Sequence, residues 1–537
     1  MPVQLYDTTL RDGAQMEGIS LSVEDKLRIA KKLDELGVHF IEGGWPGANP
    51  KDVEFFQRAP ELRLRSKLVA FGSTRRAGGD ADSDPTLNGL VAANTDVVTI
   101  VGKASDVQVR RVLETSPEEN LAMLADSVGF LKSKGKMVFL DAEHFFDGFA
   151  SEQDYALSCL RSAANAGADG LVLCDTNGGT LPTNLVYAIE VVQKALPSVP
   201  LGIHCHNDAD VAVANSLMAV EYGVEQVQAC MNGYGERCGN ANMVSIIAGL
   251  KLKLARDVVT EDQLARLTEV SHFVSEVANL APWLPQPYVG ASAFAHKAGY
   301  HADGVIKVES AYQHIDPARV GNERRLLVSE LSGSRGLLDK VADLGIDYPM
   351  TRDDARRVTE LIKEQEANGY QYEGADASFE LLVRRNLPGY RKPFNLDDFW
   401  IVERRREVDE GTHASEMQAE AMVKVRVFGG VAARPSGEGD QLVQTAADGN
   451  GPVNALDAAV RKALGEFYPR ITDVRLVDYK VRIIDSGSGT GASVRVLVEC
   501  SDSDYTWQTV GASTDIIEAS WLALSDALEW WLLRHPA

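Results

Sequence analysis

At 537 residues the chain is long enough for several domains, and 45% hydrophobic residues supply a large core. Its 54 basic against 77 acidic residues give a net charge of -23, which argues against a general nucleic-acid or anionic-membrane binder. No apolar run reaches bilayer length, the amino terminus runs straight into a strand-like segment without a signal peptide, and six scattered cysteines suit free thiols in a reducing cytoplasm.

The first half repeats a short apolar run, a polar loop and an amphipathic helix. Strands are expected at Val3–Tyr6, Val38–Glu42, Lys67–Phe71, Asp96–Val101, Lys136–Leu140, Gly170–Cys174, Leu201–His206 and Gln226–Met231. Ser22 is placed to cap a helix that carries Val23, Leu27, Ala30 and Leu33 on one stripe, and Ser116-Pro117 opens another. Gly37, Gly135, Gly167 and Gly223 fall where left-handed helix caps belong. Eight strands alternating with helices over about 250 residues have the rhythm of a (β/α)8 TIM barrel. An open doubly wound sheet is the competing fold, but no G-x-G-x-x-G follows the first strand.

In such a barrel the chemistry sits at the carboxyl ends of the strands. Polar clusters recur there: Asp7 to Gly13, Glu42-Gly43-Gly44, Asp141 to His144, Asp175-Thr176-Asn177, and Asn232 to Asn240. On the seventh strand His204 and His206 share a face and Cys205 points away, which offers half of a metal site. Alone, that pair reads equally well as two satisfied structural histidines, and any one carboxylate as a cap or loop residue. The convergence of several ionisable groups on one mouth favours function.

Beyond the barrel, Leu252–Leu280 reads as largely helical, and Pro282, Pro285 and Pro287 break the chain. Phe294 to Gly304 is unusually dense in histidine, aspartate and glycine for a connector. A small helical region is expected over 335–385, with a hinge at Asn386–Phe394. The last part alternates in the β manner at Ala421–Phe428, Val474–Ile484, Ser493–Cys500 and Thr506–Val510, with helices at Val453–Phe467 and Ile516–Leu533. The turn 445–452 resembles 509–515, so this α+β part reads as a faint duplication with a regulatory or dimerising role. The expected division is 1–275 for the catalytic barrel, 276–394 for linker subdomains completing the active site, and 395–537 for the regulatory domain.

Asp7 to Gly13, His204-Cys205-His206-Asn207-Asp208 and Gly235 to Ala241 together resemble the acyltransferases that condense acetyl-CoA with 2-oxo acids. These are the 2-isopropylmalate, homocitrate and citramalate synthases, related to metal-dependent lyases of the same barrel type. The likeness covers nearly the whole chain, and Glu42 to Gly47 with Asp141 to Gly148 resembles the citramalate-forming branch most. The resemblance implies that Asp12, His204, His206 and Asn240 bind one divalent cation (Mn2+, Mg2+ or Zn2+). It implies that Arg11 faces the developing alkoxide and contacts substrate, that Thr176 binds the oxo acid's carboxylate, and that Glu143 and His301 do acid–base work supported by Asp303 and Tyr312. The substrates would be acetyl-CoA and pyruvate, with isoleucine as the allosteric amino acid. The His301 segment would reach the other subunit's site, making an obligate homodimer. Alternatives are 2-isopropylmalate formation from 2-oxoisovalerate, or carbon–carbon cleavage by a lyase. Asp7 is expected to brace its loop, Cys238 to be a small packed residue, His296 to be structural or to help His301, and His144 to have no role.

Overall fold

The computed structural model describes residues 3–296, 304, 308–326, 334–346, 350–407, 415–428, 439–484, 489 and 491–535. Two compact units emerge, one of residues 1–294 with 313–324, the other of 295–312 with 325–537. Among the described residues no helix is long and apolar enough to cross a membrane.

The first unit is a closed barrel of eight parallel strands in sequence order. They are β1 (Gln4–Asp7), β2 (Phe40–Gly44), β3 (Lys67–Ser73), β4 (Val97–Lys103), β5 (Met137–Glu143), β6 (Gly170–Asp175), β7 (Leu201–Cys205) and β8 (Gln226–Ala229), and β8 pairs with β1 to close the ring. All eight expected strands are present. Helix α1 (Val23–Leu36) begins at a capping box between Ser22 and Asp25, buries Leu27, Ala30 and Leu33, and ends where Gly37 turns left-handed at φ 93°. Helix α2 (Pro117–Ser133) is capped by Ser116. The stretch 252–280 is less helical than its pattern suggests. A left-handed Ala255 interrupts it, Val258 and Val259 turn inward, and Thr260 caps a fresh start that leads to the helix Leu267–Val277.

Strand alternation sorts the barrel interior into layers. Phe40, Val69, Val97 and Phe139 fill the lower end with the Tyr6 ring, and the Phe40 and Phe139 rings meet edge-on at 5.4 Å. Two residues further along β2, β4 and β5 the inward side chains turn polar: Glu42, Thr99 and Asp141. The Tyr6 hydroxyl joins the layers, donating to Glu42 at 2.5 Å and lying 2.8 Å from Thr99 Oγ1. The apolar layer is thus the floor on which the polar one stands.

The second unit carries helices at Ser334–Asp343, Arg352–Ala367 and α3 (Asp376–Arg385), as expected for its linker part. Two three-stranded antiparallel sheets follow, β9 (Phe394–Glu407), β10 (Ser415–Val427) and β11 (Gln441–Gly449), then β12 (Arg475–Ile483), β13 (Val494–Ser501) and β14 (Thr506–Ser513). Each sheet ends in a helix, α4 (Pro452–Gly465) and α5 (Ile516–Arg534). The duplication extends to single bonds: Thr445 Oγ1 donates to Ala459 O and Thr509 Oγ1 to Ala523 O, at 2.8 and 2.7 Å and both across 14 residues. Strands β9 and β11 escape the sequence pattern. The first is broken by Asp397 and Asp398, where its register shifts, and leaves Trp400 exposed, so no continuous apolar face marks it. Helix α3 packs with this module, because Ser378 donates to Asp526 at 2.6 Å and Glu380 accepts from the Trp530 indole at 2.8 Å.

Candidate active site

The mouth of the barrel encloses a cavity of about 260 Å3. Arg11, Asp12, Glu143, Thr176, His204 and His206 all line it, so the structure gathers six of the expected site residues. Asp12, in the loop after β1, sets Oδ2 3.3 Å from His204 Nε2 and 3.9 Å from His206 Nε2. Their ligand atoms all lie within 4.8 Å of one another, a spacing that suits one metal ion. The two imidazole rings are 5.2 Å apart, as two inward residues of one strand should be.

β7 ends one residue earlier than expected, at Cys205, because His206 pairs by a lone backbone bridge with Asn240. That bridge brings the loop after β8 to the histidines. The Asn240 amide donates to Tyr234 O at 3.1 Å, while its Oδ1 is buried with no hydrogen-bond partner among the described residues. Gly235 at φ 149° lets the loop wrap this side chain, since a Cβ there would stand 2.2 Å from Asn240 Nδ2. A buried, unpaired carbonyl oxygen beside two imidazoles and a carboxylate fits a divalent cation.

Electrostatics prepares the group. Burial disfavours a charge on Asp12, but Arg11 and the histidines hold its carboxyl well below the usual range. Burial, reinforced by His204, pushes His206 down to about 4, so its imidazole is neutral near pH 7. Arg11 is fixed on three sides: Nε donates to Glu42 Oε1 at 2.6 Å, Nη1 lies 3.4 Å from Asp12, and the guanidinium sits 3.8 Å from the Phe71 ring centroid. Glu143 forms an ion pair with Lys103, its register partner on β4. The Thr176 hydroxyl oxygen accepts the His144 N–H at 2.8 Å, which leaves its own proton free to donate into the cavity. His144 does not continue the strand but turns left-handed at φ 57° to start a short helix. Asp7 braces its loop by accepting from the Thr9 amide and hydroxyl at 2.9 and 2.8 Å.

Several contributors went unassigned on sequence. Gln228 on β8 accepts from His204 Nδ1 at 2.8 Å and donates to Asp141 at 2.9 Å. Arg237 ties the β8 loop to the wall through Asp208 at 2.8 Å and Thr176 O at 2.7 Å. Asp141 shares strand parity with Glu143, and Glu42 with Phe40, so alternation alone could have pointed both inward. Cys238 is exposed, not packed, because its loop stands at the rim. His301 and Asp303 lie outside the described residues. Tyr312 and His296 fall in the second unit, Tyr312 exposed and His296 half-buried.

Residues 2–274 match the HMGL-like family, 288–369 the homocitrate synthase post-HMGL domain-like family, and 373–532 the LeuA allosteric (dimerisation) domain. The fold and the Asp-His-His mouth therefore define an HMGL-like barrel enzyme with a LeuA-type module behind it. The chain is 50% identical over 529 residues to an (R)-citramalate synthase of Geobacter sulfurreducens, covering 98% of this chain and 97% of that one. Against the (R)-citramalate synthase of Aquifex aeolicus it is 47% identical, covering 99% and 98%. Identity to a 2-isopropylmalate synthase of Methanocaldococcus jannaschii is 30%, covering 98% and 94%. The chain belongs to the (R)-citramalate synthase family.

Proposed function

We propose that this chain condenses acetyl-CoA with pyruvate and water to give (R)-citramalate and CoA, committing carbon to isoleucine. The observation that carries the reading is the convergence of Asp12, His204 and His206 with Arg11 and Glu143 in one cavity, where the backbone of Asn240, whose side-chain oxygen is buried and unpaired, bridges to His206. Full-length identity of 50% to a citramalate synthase against 30% to a 2-isopropylmalate synthase supports pyruvate over a branched oxo acid.

Asp12, His204, His206 and Asn240 would hold a divalent cation, Mn2+, Mg2+ or Zn2+. When bound it supplies Lewis acidity at the oxo acid's carbonyl. Arg11, locked by Glu42 and Phe71, presents a fixed positive charge to the oxygen that becomes an alkoxide, with no reorganisation needed. Thr176 donates its hydroxyl proton to the pyruvate carboxylate. Glu143, with Lys103 as counter-charge, removes a proton from the acetyl methyl group, and the resulting carbanion attacks C2 of pyruvate. His301, supported by Asp303 and Tyr312, serves as the acid in this reading. Water then cleaves the thioester and CoA leaves as the thiol, which makes the reaction irreversible.

Residues 1–275 form the catalytic segment, 276–394 complete the site, and 395–537 sense an amino acid, isoleucine, in a homodimer. The LeuA-type match supports the dimer. The test is thiol release from acetyl-CoA with pyruvate, 2-oxobutyrate, 2-oxoisovalerate and 2-oxoglutarate, each with and without a chelator. Chelator-sensitive release strongly favouring pyruvate is expected, whereas preference for 2-oxoisovalerate would move the enzyme to the leucine pathway.

A further inference from the structure

Beside the catalytic cavity lies a second one of about 430 Å3 that shares Trp45, Val101 and Glu143 with it. Its inner wall is apolar, with Leu113 and Met123, and its outer wall is the loop after β3. The lining carries three cations, Arg75, Arg76 and Lys103, against the single carboxylate of Glu143, in a chain whose net charge is -23. Two of these cations are engaged. Lys103 pairs with Glu143, and buried Arg75 reaches Glu119 and Asp126, both at 2.7 Å. The loop is further fixed by Arg75 N donating to Ser127 Oγ at 2.9 Å, Arg76 N to Asp84 at 3.0 Å and Gly78 N to Glu119 at 2.8 Å. Nearby carboxylates are thereby occupied, and the exposed Arg76 guanidinium has no ion-pair partner among the described residues. A rigid rim that ends in one unneutralised guanidinium is prepared for an anion.

We propose that this groove holds the pantetheine arm of the acyl-thioester substrate and that Arg76 binds its phosphates. The inference rests on the condensation reading above. A base must stand within hydrogen-bond reach of the carbon acid it deprotonates, so the thioester arm leaves the cavity past Glu143. A third cavity, of about 300 Å3, also adjoins the site through Arg11, Gln15 and Trp45, but Glu143 does not line it and its Lys26 is taken by Asp52 at 2.5 Å. The apolar groove suits the amide-linked aliphatic arm, and the rim cation suits the nucleotide's phosphates.

The test compares Arg76→Glu with Lys51→Glu, on the third cavity, in the full-length metal-replete enzyme, using acetyl-CoA and S-acetylpantetheine, which lacks the nucleotide. Arg76 supports no other described side chain, so the variant should fold. Loss of one charge-assisted phosphate contact predicts a rise of about tenfold in KM for acetyl-CoA in Arg76→Glu. KM for pyruvate and for S-acetylpantetheine should stay within about twofold of wild type, and the salt dependence of acetyl-CoA KM should weaken. An unchanged acetyl-CoA KM, an equal rise for both thioesters, or a rise confined to Lys51→Glu would each overturn the assignment. A wild-type enzyme that consumes neither thioester would instead sink the condensation reading on which it rests.

Discussion

Replacing Gln228 by leucine should weaken metal binding without touching a ligand. Gln228 is 1% exposed, and its amide is held from both sides, accepting from His204 Nδ1 at 2.8 Å and donating to Asp141 at 2.9 Å. With Nδ1–H held by Gln228, loss of the Nε2 proton leaves the tautomer that offers Nε2 to a cation beside Asp12 and His206. With leucine, His204 loses its acceptor and the tautomer with Nε2–H wins, because Asp12 Oδ2 waits 3.3 Å away to accept it. A ligand lone pair then has to be recovered before any cation binds. Loss of such a partner typically costs 10–100-fold in metal affinity, about 1.4–2.7 kcal/mol. The stranded Asp141 oxygen adds about 1–3 kcal/mol of destabilisation, which appears in the denaturant midpoint and not in the metal titration. Competition calorimetry of Mn2+ or Zn2+ against a chelator, on wild type and Gln228→Leu, reads the first quantity directly. A folded variant that binds the cation within about twofold of wild type would refute the idea that Gln228 sets His204.

Glu143→Gln should lower kcat by about 10²–10⁴ with the fold intact, and steady-state turnover near wild type would remove Glu143 as the base. Of six cysteines only Cys238 is exposed, and burial pushes Cys159 up to about 12, so a disulfide reagent at pH 8 should modify one thiol per native chain. Rapid modification of two or more would contradict this packing. Asp7 is raised from 3.8 to about 7 by burial, against the pull of its Thr9 hydrogen bonds. Between those pH values the folded chain keeps a proton that the unfolded chain releases, so this residue makes stability fall as pH rises through the window and level off above about 7. Asp7→Asn should flatten that slope in denaturant midpoints measured from pH 5 to 8, and an unchanged slope counts against it. Thr445→Val and Thr509→Val should each destabilise by about 1 kcal/mol, with the larger loss at fully buried Thr509. Loss at only one site would break the equivalence of the two repeats.

The barrel was legible because its strands are short apolar runs between glycine-ended helices, a pattern that survives without tertiary information. Of the proposed ligands, the pair His204 and His206 was legible from their shared strand parity, while Asp12 and Asn240 came from the family resemblance alone. What the chain order hides is lateral pairing. Gln228 meets Asp141 across 87 residues and Glu42 meets Arg11 across 31, contacts made only when the sheet closes. Strands β9 and β11 were hidden by chemistry, because exposed strands need not alternate cleanly. The left-handed turn at His144 was invisible because nothing local demands it; it is imposed where β5 meets the Thr176 hydroxyl.

Charge gives a separate reason for a cation at this mouth. Asp12, Glu42 and Asp141 are all buried at the top of the barrel, and Arg11 is the guanidinium among them. Glu143 and Lys103 neutralise each other. These three carboxylates outnumber the guanidinium they surround, in a medium where unpaired charge is expensive. Protons meet the excess: burial and the neighbouring Glu42 push Asp141 up to about 7, and, against the effect of burial, Asp12 raises His204. A cation on Asp12, His204 and His206 would supply that positive charge with neutral imidazoles. The Glu42 and Asp141 carboxylates, neither of them a proposed ligand, thus favour a cation at this mouth independently of the ligand geometry.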